Sequence, residues 1–71
     1  MKDTQRVIKL LRKLGWTRLE RNDQEWQGIF KYSYLNLGNY NTVNEIHHDL
    51  AYFHGIPVNV IQKLWEDIVY D

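Results

Sequence analysis

The chain has no cysteine, so neither a disulfide nor a thiolate zinc cage is available to it. It has no run of 18 apolar residues and no basic-then-apolar leader, so no membrane span is expected, and the expectation is a soluble, cytoplasmic protein. Its one serine, Ser33, has no partner base at a telling spacing, and no enzyme is expected. There is no internal repeat, no linker and no low-complexity stretch. What is present is 71 residues, of which 44% are hydrophobic and 14% aromatic. That is a folding composition of single-domain length, so residues 1–71 read as one domain. Such a short chain buries only roughly 60% of the surface it exposes when unfolded. It must use its apolar residues efficiently or share them with a partner.

The net charge is zero, but the charges are separated along the chain. Residues 1–21 hold seven basic and two acidic side chains, and residues 22–71 hold two basic and seven acidic ones. Such asymmetry bears on partners rather than on fold. It also lets the two halves attract each other within the domain.

The spacing of Val7, Leu10, Leu11 and Leu14 predicts an amphipathic first helix, capped by Asp3 or Thr4 and stopped at Gly15. Lys2, Arg6, Lys9 and Lys13 form a basic stripe on its opposite side. Trp16 to Arg21 and Glu25 to Leu35 predict two strands joined at Asn22-Asp23. Alternation would place Phe30, Tyr32 and Tyr34 on one face, packed on the first helix, with Gly28 marking a bulge or a close approach. Thr42 and Glu45 form a capping box opening a second helix to about His54. Gly55 turns the chain, and Pro57 begins a third helix whose apolar face runs through Val58, Ile61, Leu64, Trp65, Ile68 and Val69, with Trp65 its largest buried residue. The fold class is α+β, in the order α-β-β-α-α, with a two-stranded antiparallel hairpin and a C-terminal helix pair.

Residues 47–68 combine Leu50, Ala51, Gly55, Ile56, Ile61 and Leu64. A small residue, a glycine, a following apolar residue and two later apolar positions make this stretch resemble the helix-turn-helix unit of DNA-binding regulators. The resemblance implies that Asn59, Gln62 and Lys63 face outward from a recognition helix, where those residue types read base edges in duplex DNA. Lys2, Arg6, Lys9 and Lys13 would then position the phosphate backbone. Glu66 and Asp67 on the same helix would repel phosphates. More faintly, the opening IKLLRKLGWTRLERN is similar to the first helix and strand of HicA-type toxins. With no histidine before His47, their mRNA cleavage does not carry over.

His47, His48, His54 and Asp49 lack the four-residue spacing that lets a helix grip an ion, so neither a metal nor another cofactor is expected. The expectation is a small non-enzymatic regulatory binding protein of bacterial or phage type, reading DNA through its helix-turn-helix. The alternative is a protein-binding module, an inhibitor or adaptor with no nucleic-acid contact. Self-association and the partner's identity stay open.

Overall fold

The computed structural model describes residues 3–30 and 33–70; Lys2, Lys31 and Tyr32 lie outside them. The elements run α1 (Thr4–Lys13), β1 (Thr17–Arg18), β2 (Glu25–Gln27), β3 (Tyr34–Asn36), a 3-10 turn (Leu37–Asn39), α2 (Val43–Tyr52) and α3 (Val58–Val69). The α+β class holds. The sheet is antiparallel in the order β1-β2-β3, with three strands rather than two. No helix among the described residues is long and apolar enough to cross a membrane.

In α1, Val7, Leu10 and Leu11 are buried, as the spacing predicts. Asp3 takes the cap position but makes no capping bond; its carboxylate instead pairs with Arg6 at 3.3 Å. The helix ends at Gly15, where φ is +88°. The Gly15 amide donates to the Arg12 carbonyl at 3.0 Å and the Trp16 amide to the Leu11 carbonyl at 2.9 Å. This paired bonding satisfies the last helical carbonyls and draws Trp16 against the core side of the helix.

The segment read as one strand from Glu25 to Leu35 folds back on itself. The Gly28 amide donates to the Ser33 carbonyl at 2.8 Å, and the Ser33 amide to the Phe30 carbonyl at 3.0 Å. Only glycine fits there: a Cβ on Gly28 would stand 2.5 Å from the Ser33 Cβ and 3.0 Å from the Trp16 ring. The turn resets the alternation. Trp26 now faces Leu35 across the strands, and both are buried. Tyr34, on the opposite face, donates its hydroxyl to Glu25 at 2.9 Å. Phe30 and Tyr34 therefore do not pack on the first helix as the aromatic face expected of them would. Phe30 is 72% exposed, Tyr34 is exposed, and Tyr32 lies outside the described residues.

The Asn22-Asp23 turn forms, with the Asn22 side chain accepting from the Gln24 amide at 2.7 Å. The cap on α2 forms too: Thr42 Oγ1 accepts from the Glu45 amide and the Glu45 carboxylate from the Asn41 amide, both at 3.3 Å. Helix α3 packs against both α1 and α2. Its buried residues are Ile61 and Ile68, and Pro57 is its cap rather than part of its first turn. Trp65 is not the core tryptophan. It is partly buried at the edge, its ring edge-on to His47 at 4.9 Å between centroids. Trp26, at 1% exposure, and Trp16, at 4%, fill the centre.

Trp26→Ala is expected to lower stability by about 3–5 kcal/mol, and Trp65→Ala by roughly half as much. Urea titration of the two variants checks the order, and a reversed order would place the core elsewhere. Gly55 has φ +69° and open space where a Cβ would go, so Gly55→Val adds backbone strain without a clash. That strain should cost about 1–3 kcal/mol, read from thermal unfolding.

Candidate binding surface

Residues 47–68 fold as two helices about a turn at Gly55. The Ile56 amide closes the turn by donating to the Leu50 carbonyl at 3.1 Å. Leu50 and Ile61 are buried, and Ala51, Ile56 and Leu64 are partly buried. Asn59, Gln62 and Lys63 are all exposed. They share their surroundings with Val58 and Val60, also exposed, and with Asp67, whose carboxylate lies 3.6 Å from the Lys63 ammonium. The sequence holds no other lysine or arginine between Lys31 and Lys63. On α1, Arg6, Lys9 and Lys13 are exposed as the stripe requires; Lys2 lies outside the described residues.

A feature the sequence did not announce lies where three segments meet. The end of α1, the β2–β3 turn and the α2–α3 turn enclose a cavity of about 80 Å³, lined by Leu14, Trp16, Ile29, Phe30, Ser33, His54 and Ile56. The His54 ring stands edge-on to Trp16, 5.1 Å between centroids. Ile29 and Phe30, at 73% and 72% exposure, stand at its mouth on the β2–β3 turn. Phe53, next in sequence to His54, is exposed to the same degree, and its ring meets that of the exposed Tyr52 at 6.0 Å. The signal for this surface was faint: a run from Leu50 to Gln62 without a single charged residue, and Gly28 just before Ile29-Phe30.

The three histidines separate as their helix positions imply. His48 is exposed and stacks on Tyr52, 5.1 Å between centroids. His47 and His54 are partly buried, and the buried Nε2 of His47 makes no hydrogen bond. Asp49 instead receives the Tyr40 hydroxyl at 2.7 Å, tying the segment before α2 to the helix. Burial, and then this carboxylate, raise the Tyr40 phenol far above its ordinary value. On the outer face of the sheet, the Arg21 guanidinium and then the Tyr34 hydroxyl hold the Glu25 carboxyl below the usual range. Among the described residues no three His, Asp or Glu side chains are placed to hold a metal ion. No protein-family model, curated protein or solved structure matches the chain.

Burial holds both His47 and His54 below the ordinary imidazole value of 6.5, with Asp49 opposing the shift at His54. The unfolded chain therefore takes up protons before the folded one does. Stability is full above that ordinary value and declines as pH falls through it toward the lower folded values. His47→Leu keeps the apolar contact with Trp65 and removes one ionising group. It should shrink the drop in Tm between about pH 7.5 and about pH 5.5, followed by circular dichroism. An undiminished drop would assign the effect to His54.

Proposed function

We propose that the chain is a small regulatory binding protein whose partner is another protein, docked on the surface around the α2–α3 and β2–β3 turns. The carrying observation is the exposure of Ile29, Phe30, Tyr52, Phe53 and Val58 in a domain of only 71 residues. Two of these stand over a pre-formed apolar cavity. Aromatic and aliphatic side chains free of nearby charge make up the centre of protein interfaces. Protein–DNA interfaces are more polar and strongly basic.

A second reading has its own support. Gly55 with positive φ, and Asn59, Gln62 and Lys63 exposed on α3, are what a helix-turn-helix reader of duplex DNA needs. Against it stands the absence of any lysine or arginine from the turn and from α3 other than Lys63. Backbone contacts supply much of the affinity of such proteins.

Two assays on the purified chain decide between them. Under the docking reading, panning against a random peptide library selects recurring sequences that the Phe30→Ser variant no longer captures. A pool of random duplexes is not shifted at about 50 mM salt. A shifted duplex whose sequence preference is flattened by Asn59→Ala with Gln62→Ala would replace docking by DNA reading, at about 1–3 kcal/mol per lost base contact.

A further inference from the structure

The charges around the cavity are unevenly signed. Residues 12–16, which bring Leu14 and Trp16 to it, carry Arg12 and Lys13 and no acid. Residues 51–60, which bring His54 and Ile56, carry no Asp, Glu, Lys or Arg. Between Gln27 and Tyr34 the one charged residue in sequence is Lys31. The acid whose charge acts on His54 is Asp49, on the last turns of α2, and it already holds the Tyr40 hydroxyl at 2.7 Å. The basic stripe of α1 runs on the helix whose last turn brings Leu14 to the cavity. Lys13 immediately precedes Leu14, Lys9 lies one turn back and Arg6 nearly another, all exposed. From Arg6 to Lys13 the helix rises about 10 Å, the reach of a short extended segment. Lys9 and Lys13 make no ion pair among the described residues, whereas Arg6 is engaged by Asp3 at 3.3 Å.

An apolar cavity at the end of a helix that carries exposed, unneutralised ammonium groups defines an occupant that is apolar at one point and anionic along its length. Resting on the docking reading above, we infer that this surface binds an acidic polypeptide segment. The segment places one aliphatic or aromatic side chain between Leu14, Trp16, Phe30 and Ile56 and lays its carboxylates along Lys9 and Lys13. The size agrees with a single anchor. A cavity of about 150 Å³ admits benzene, and about 80 Å³ suits one smaller apolar group, with Ile29 and Phe30 closing over it. A nucleic acid would meet the ammonium row equally well. It has no side chain for an uncharged, mostly carbon-lined cavity, so the cavity favours the polypeptide.

The probes are peptides selected by the full chain from a random library of twelve-residue sequences, without prior bias in charge. The expected families carry a marked excess of Asp and Glu beside one Leu, Ile, Val or Phe. Their affinity should weaken severalfold as salt rises from about 50 to about 500 mM, since exposed charge pairs are screened. Lys9→Glu with Lys13→Glu should weaken it by more than about tenfold, and Phe30→Ser by a similar factor through loss of the anchor's cover. All three positions are exposed, so the fold is retained, and far-UV circular dichroism of each variant checks this. Lys63→Glu, on α3, should leave binding within about twofold. Selected peptides that are neutral or basic, yet still lost on Phe30→Ser, would overturn the acidic partner and keep the docking reading. Recovery of no peptide family would overturn both. A duplex or single-stranded nucleic acid that competes with the peptides and depends on Lys9 and Lys13 but not on Phe30 would assign the stripe to phosphate.

Discussion

The indole of Trp16 lies so close to Gly28 that a Cβ there would stand 3.0 Å from the ring, and this approach ties the two halves of the domain together. Trp16 is delivered by the left-handed end of α1, and Gly28 by the second strand. Because they meet, the chain beyond Gly28 must turn outward rather than continue as strand. Ser33 then closes back on Gly28, β3 pairs with β2, and Trp26 and Leu35 face each other over the buried side of α1. Replacing Gly28 with any larger residue therefore disturbs a tryptophan, a turn and a strand register together. The same approach sends Ile29 and Phe30 into solvent.

Helices were legible because their signals are local. Val7, Leu10 and Leu11 mark a face by period, Thr42 and Glu45 mark a start by hydrogen bonding, and Gly15 and Gly55 mark stops by their backbone freedom. The sheet was only half legible. Between Glu25 and Leu35 every residue favours strand or tolerates it, and no Asn-Gly or Pro announces a turn. The break is imposed by Trp16, twelve residues before Gly28, so no short window contains its cause. Trp65 misled for a related reason. Helix α3 has more apolar positions than the small core accepts, and the seats nearest the centre go to Ile61 and Ile68. The exposure of Asn59, Gln62 and Lys63 followed from helical period alone, whereas the cavity required three segments far apart in sequence to meet.

The separation of charge along the chain takes on a spatial meaning in the fold. Helix α1, with its exposed cations, packs along α3, whose exposed side bears Glu66 and Asp67. The zero net charge thus hides two surfaces of opposite character on adjoining helices. A partner that senses local potential meets one or the other, because at ordinary ionic strength a field decays within about 10 Å. That favours recognition by patches rather than attraction of the whole molecule.

The strands that bound the sheet, β1 with two residues and β3 with three, are very short. A free strand edge invites a second chain to add itself by backbone pairing, and the invitation grows with the length of regular ladder on offer. Here each edge offers a ladder too brief to hold an incoming strand. A molecule that displays this much carbon at its turns is guarded against stacking into fibrils by the brevity of its own sheet. Its exposed apolar groups are left to meet partners through side chains alone.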